Sequence, residues 1–179
     1  TSFFGSITPR TAGFNTVDIT LLSLPMLMIY FLLMLIGASP GSTGGGIKTT
    51  VAAVAFLNMK SIVTGHGRTE AFRTEISVAS IKRAFAIILL ALLVLGLAVL
   101  LLSIRDSEKG LLKLAFEAFS AFSTVGLTLG ITPQLSLLGK FVIMAVMFIG
   151  RVGALTLLFA VVTRSQGTLY RYPSEDIMY

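Results

Sequence analysis

Three stretches of the chain are apolar over lengths that match a membrane, and most polar positions fall between them. Residues 19–36, 84–104 and 135–162 each carry enough apolar side chains to cross roughly 30 Å of hydrocarbon. The first has Pro25 near its start and the second is an uninterrupted leucine-rich run. The third holds Lys140 near one end and Arg151 near its middle. Backbone groups in lipid must find partners within their own segment, so each stretch is predicted to be a helix. Two further segments are semi-apolar. Residues 47–63 continue the first stretch after a glycine-rich break at 37–46. Residues 111–122 are too short to span and run into Ser123-Thr124-Val125-Gly126, the pattern of a re-entrant half-helix. The expected fold class is an all-α membrane protein.

Composition agrees. Of 179 residues, 55% are hydrophobic and only 12% charged, against about a quarter charged in soluble domains. There is no cysteine, and His66 is the sole histidine, which argues against disulfides and against thiolate or imidazole metal sites. The net charge of +6 comes without the basic stripe and interleaved aromatics of a nucleic-acid binder, so no nucleic-acid partner is expected. The basic residues instead orient the chain in lipid. Lys60, Arg68, Arg73, Lys82 and Arg83 place the second linker on the cytoplasmic side, with Arg164 and Arg171 in the tail on the same side. The loop from Arg105 to Lys109 and both short re-entrant segments then face outside. The opening Thr1-Ser2-Phe3-Phe4 has no initiator methionine and no signal-peptide pattern, which points to a chain truncated at its N-terminus.

An internal repeat underlies this layout. A shift of 113 residues lays Gly13 on Gly126, Thr11 on Thr124, Leu22 on Leu135, Ser23 on Ser136 and Gly37 on Gly150, without a gap. Both copies read as Thr-x-Gly, a short connection and a membrane helix. Parallel repeats surround a common axis, and the site lies where they meet.

The Thr-x-Gly turns carry candidate chemistry. A dehydrated potassium ion needs a ring of oxygens, which backbone carbonyls of extended loops supply. A glycine lets such a loop adopt angles closed to other residues. Thr11, Ala12, Gly13, Phe14 and Asn15 form one such segment, and Thr124, Val125, Gly126, Leu127 and Thr128 the other. The half-helix 111–122 would aim its negative C-terminal end at the cation. The plainer alternative for each segment is an ordinary extracellular turn.

The break contains Gly37, Ala38, Ser39, Pro40, Gly41, Ser42, Thr43, Gly44, Gly45 and Gly46. Glycine and proline at this density end a helix, and non-helical backbone at membrane depth needs a protein or cavity surround. Two readings compete: a gate beneath a pore, or a hinge without a gating role. The run Gly41 to Thr49 approaches the phosphate-binding loop pattern, but Ile47 breaks the spacing and a membrane span stands where a strand is required. The repeat lays Arg151 on Ala38, level with the break. There it would repel cations, bond loop carbonyls, or simply tie two helices together. Lys48 and Lys140 are expected to snorkel. Glu117 either bonds backbone behind the turn or stays solvated.

The segments Thr8 to Thr16, Ser39 to Thr49 and Ser123 to Leu127 resemble signatures of the Ktr/Trk/HKT superfamily of potassium transporters. Gly150-Arg151-Val152-Gly153 and the tail from Arg171 to Asp176 resemble its bacterial Ktr branch most. The resemblance implies four repeats of helix, pore helix, filter and helix. Residues 1–63 would end the third repeat, 64–83 be a cytoplasmic linker, 84–163 the fourth repeat and 164–179 a cytoplasmic tail. It implies that Gly13 and Gly126 are filter glycines, that 37–46 is an intramembrane gating loop and that Arg151 is its partner. It further implies gradient-driven potassium uptake without covalent chemistry, with possible sodium dependence, through a multi-pass protein of the bacterial cytoplasmic membrane. The lipid-embedded subunit would form a homodimer on a cytosolic ring of nucleotide-binding regulatory subunits. A serine for glycine in the first repeat accompanies sodium permeation in plant relatives, so selectivity stays open. The rival expectation is a truncated or decayed, non-conducting scaffold that keeps the motifs.

Overall fold

The computed structural model describes residues 2–10, 12–42, 44–65, 69–71 and 74–153. The third apolar stretch beyond Gly153, the tail with Arg164 and Arg171, and Thr11, Thr43, His66, Arg68 and Arg73 lie outside the described residues. Among the described residues the regular structure is helical apart from one small hairpin, with loops between the helices. The helices are α1 (Ser2–Ile7), α2 (Leu24–Leu35), α3 (Thr49–Val63), α4 (Val78–Asp106), α5 (Leu111–Phe122) and α6 (Leu137–Val152). The hairpin strands are β1 (Glu70–Ala71) and β2 (Thr74–Glu75), between α3 and α4.

The helix α4 organises the rest. The Ser77 side chain accepts from the Ser80 amide to start it, and its 29 residues rise about 44 Å at 1.5 Å each. Ala84, Ala91, Leu95, Ala98 and Leu102 recur along one buried stripe, while Leu89, Leu93, Leu100 and Ile104 on the other faces are exposed. A helix that is apolar all round, yet covered on only one side, is built for lipid. Among the described residues, Val78–Lys109 is the one helical run long and apolar enough to cross a membrane unaided.

Two cores result. The first joins α4, α5 and α6 through Leu95, Leu102, Leu114, Ala118, Ile143 and Val146. The second presses α2 onto α5 and the turn after it, with Tyr30 and Met34 against Phe116, Val125 and Leu127. The Phe31 ring meets Phe116 and Phe119 edge-on at 5.6 and 5.0 Å between centroids, a favoured aromatic geometry. The outer end of the first core is pinned by Asp106. Its carboxylate accepts from the Ser136 amide (3.1 Å) and hydroxyl (2.8 Å), and the Ser136 oxygen accepts from the Gly139 amide (3.0 Å). A carboxylate at the N-terminus of α6 meets the positive end of the helix dipole and its unpaired amides.

The 113-residue shift survives in three dimensions. Short 3-10 turns occupy Ile19–Leu21 and Thr132–Gln134, Ser23 and Ser136 both precede their helices, and α2 and α6 start at equivalent leucines. Asp18 caps the first of these turns, and the Thr20 hydroxyl, then the Thr20 amide, hold its carboxyl below the usual value.

Several expectations need correction. Residues 19–36 are not one helix. Pro25 sits in the first turn of α2, which has only 12 residues before Gly37, about 18 Å and short of a span. The next helix begins at Thr49, not 47, because Ile47 is held in a bridge to Ile36. The helix α4 starts at Val78, inside the expected linker. The helix α1 was not expected, although the repeat shift lays it on residues 115–120 of α5.

Candidate functional site

Two turns and one loop converge beneath the ends of α1 and α5. After α5 closes at Phe122, the Ser123, Thr124 and Val125 amides donate back to the Phe119, Ala121 and Ser120 carbonyls at 3.0, 3.1 and 2.9 Å. Thr124 is thereby held at φ +54°, the only positive φ of a non-glycine residue among those described. That region costs an L-residue roughly 1–2 kcal/mol and persists only where the surroundings over-determine it. Gly126 follows at φ +87° and Gly13 in the other turn at φ +70°, positions suited to glycine.

The two turns touch through bare backbone. A Cβ on Gly13 would stand 2.2 Å from the Val125 carbonyl oxygen and 3.6 Å from the Gly126 Cα. Val125 and Leu127 are buried, whereas Ala12, Phe14 and Asn15 are exposed. Thr8, which is buried, donates its hydroxyl to the Phe14 carbonyl at 2.5 Å and so braces the first turn. Behind the second turn lies a cleft of about 410 Å³ lined in part by Glu117, Gly126, Thr128 and Thr132. Glu117 is buried and accepts from the Thr128 hydroxyl and from the Thr132 hydroxyl (2.9 Å). The expectation of a backbone bond or a solvated carboxylate is thus corrected: its partners are side chains. Thr128 in turn accepts from the Gly130 amide at 3.0 Å.

The break 37–46 is a loop with a closed neck. The Gly37 amide donates to the Ile47 carbonyl (2.9 Å), Ile47 to Leu35 (3.3 Å) and Thr49 to Ala38 (3.4 Å). Ile36 and Ile47 pair in parallel, so the chain leaves, turns fully and resumes its heading at the neck. These bonds satisfy backbone groups that no helix provides for. The loop's far side rests on the second turn. The Gly45 amide donates to Thr124 Oγ1 at 2.9 Å. A Cβ on Gly45 would stand 2.8 Å from Thr124 Cγ2 and 3.1 Å from the Gly150 oxygen, and one on Gly46 would stand 3.1 Å from Ser123 Oγ.

Lys48 departs from expectation. It does not simply snorkel: its ammonium donates to the Gly44 carbonyl (2.5 Å) and the Ser42 carbonyl (3.3 Å), folding the loop toward its own neck. Arg151 also moves in meaning. Within the described residues it is not mid-helix but in the last turn of α6, ahead of Gly153 at φ +90°. A cation is favourable at a helix C-terminus, and the preceding Gly150 packs against the loop. Gly150 itself admits no side chain, since a Cβ would meet the Phe122 carbonyl oxygen at 1.9 Å.

The structure brings Gly13, Gly126, the loop and the α5 end together as neighbours. Sequence reasoning missed Asp106, the bracing role of Thr8, the loop bonds of Lys48 and the strained backbone of Thr124. Only the placement of Asp106 at the end of a long apolar run, ahead of Gly110, was a usable signal.

Comparison with known proteins matches residues 1–172 to the TrkH model, described as a cation transport protein. The chain is 41% identical over 99% of its length to the potassium/sodium uptake protein NtpJ of Enterococcus hirae. It is 40% identical to the Ktr system potassium uptake protein B of Vibrio alginolyticus, and 41% identical to the Ktr system potassium uptake protein D of Bacillus subtilis, each over 99% of the chain. It spans 40%, 38% and 39% of those relatives respectively, about two fifths of each. All three are named as uptake proteins for potassium or for potassium and sodium. The chain belongs to the TrkH family of cation transport proteins.

Proposed function

We propose that this chain forms part of a potassium uptake protein, in which the Thr-x-Gly turns line a selectivity filter and the loop 37–46 gates it from beneath. The observation that carries the reading is the meeting of the two turns, where Gly13 lies against the Val125 carbonyl and both turns hold glycine at positive φ. Carbonyls from neighbouring repeats that converge in this way can replace the hydration shell of a potassium ion. The C-terminal end of α5 directly precedes the second turn, so its partial negative charge favours a cation there. Transport then needs no covalent step, only a path and the electrochemical gradient.

The loop seated on Thr124 obstructs the lower end of that path, and Lys48 and the neck bonds keep it compact. Arg151, on the turn of α6 beside the loop, adds a positive charge below the filter that opposes cation passage while the loop is closed. In this reading residues 1–63 and 84–163 belong to successive pore repeats, and residues 64–83 and 164–179 face the cytoplasm. The protein is multi-pass in a bacterial cytoplasmic membrane, works as a homodimer and is controlled by a cytosolic nucleotide-binding ring; potassium is the cargo, with sodium able to modulate it. The relatives named as potassium and potassium/sodium uptake proteins support this assignment.

Gly126→Ser in the full-length gene product tests it. No neighbour lies within 4 Å of the added Cβ, so the change acts through φ +87° at roughly 1–2 kcal/mol of backbone strain. Uptake at limiting potassium should fall about tenfold and potassium preference over sodium should weaken. Unaltered uptake and preference would refute the filter assignment.

A further inference from the structure

The contact between loop and turn is made by an oxygen with two possible occupations. Thr124 Oγ1 accepts the Gly45 amide at 2.9 Å, at the base of the turn where a cation would leave or enter. A hydroxyl oxygen has two lone pairs. With one taken by an N–H whose positive end points at it, the oxygen is a poorer ligand for a cation. Thr124 also holds a backbone conformation that β-branched residues avoid, so it has a lower-energy alternative once its restraints are removed. The contact is close as well as polar. Gly45 has no room for a side chain against Thr124 and Gly150, so the loop must move as a body to break the bond.

We propose that Thr124 is a latch joining gate to filter: the seated loop and a cation at the base of the fourth-repeat turn compete for the same hydroxyl oxygen. This rests on the filter and gate reading above and adds how the two communicate. By linkage, whatever weakens cation binding at Thr124 strengthens loop closure, and the reverse. Ion occupancy thereby biases the gate without a separate sensor.

The test uses the full-length protein reconstituted in liposomes, with resting potassium flux as readout. Thr124→Val and Thr124→Ser are each made with the loop intact and with residues 41–46 shortened. Valine keeps the shape but deletes the acceptor; serine keeps the acceptor. With the loop intact, Thr124→Val should raise resting flux about fivefold, equivalent to about 1 kcal/mol at 1.4 kcal/mol per tenfold, and Thr124→Ser, which keeps the acceptor, should raise it clearly less than Thr124→Val. With the loop shortened, Thr124→Val should no longer raise flux. Should the valine variant fail to fold, Gly45→Ala attacks the same contact from the loop side and should also raise flux about fivefold with the rest of the loop intact; unchanged flux in it would overturn the latch. An equal effect of Thr124→Val in both backgrounds would likewise overturn it. A shortened loop that leaves flux unchanged with Thr124 intact would instead overturn the gate itself, before any Thr124 variant is read.

Discussion

Replacing Gly150 with alanine probes how closely α6 approaches the end of α5. The new Cβ would lie 1.9 Å from the Phe122 carbonyl oxygen, 2.7 Å from its carbon and 3.0 Å from its Cα. Ordinary contacts between such atoms begin near 3.5 Å, so more than an ångström of relief is needed. No rotamer can supply it, because every obstructing atom is backbone. Either α6 withdraws from α5 or the Phe122 peptide rotates away from the turn it introduces. Overpacking in a core costs typically 1–3 kcal/mol when side chains can adjust. With only backbone to move, the cost here should be about 3 kcal/mol or more. Gly96 is the matched control. It lies within α4 with no atom near its Cβ position, and alanine there should stabilise the helix by about 0.5–1 kcal/mol. Thermal unfolding of the purified full-length variants in detergent reads the contrast. Gly150→Ala should melt several degrees below wild type and Gly96→Ala no lower than wild type. Similar midpoints for the two would refute the close-approach argument.

Other substitutions have distinct signatures. Asp106→Ala removes an acceptor for both the amide and hydroxyl of Ser136 and should cost about 1–3 kcal/mol, read as a lower melting midpoint that Asp106→Asn restores in part. Glu117→Ala removes the single carboxylate oxygen, Oε1, that accepts both the Thr128 and the Thr132 hydroxyl. It should lower stability by about 1 kcal/mol or more and weaken potassium preference more than total flux. A variant that melts like wild type would remove Glu117 from the account of the turn.

The parts legible in sequence were those set by local rules. The half-helix 111–122 matched α5 at both ends because Gly110, at φ +83°, and Ser123-Thr124 bound an apolar run too short for anything else. The repeat predicted two Thr-x-Gly turns each followed by a helix, and the helix starts are equivalent; the caps differ, since the Ser136 oxygen accepts from the Gly139 amide and Ser23 makes no side-chain cap bond. The illegible parts depend on chain returning upon itself. The role of Lys48 exists only because the loop folds back to present Ser42 and Gly44 carbonyls. The Asp106–Ser136 bond joins residues 30 apart in the chain. The strain at Thr124 reflects three backbone bonds and a loop contact from 79 residues away, none of which a Thr-x-Gly motif announces. The length of α2 was misjudged because apolar character continues through Ile36, whereas helical geometry stops where Gly37 must pass beside the Gly45 carbonyl, 2.3 Å from its Cβ position.

In the function proposed above, the glycine-rich loop closes the pathway by seating on the second Thr-x-Gly turn. Resting potassium flux through liposomes that carry the full-length protein with residues 41–46 shortened tests it most directly. The account predicts a rise of about tenfold or more with potassium still preferred over sodium. A folded, monodisperse variant whose flux equals that of the wild type would contradict it.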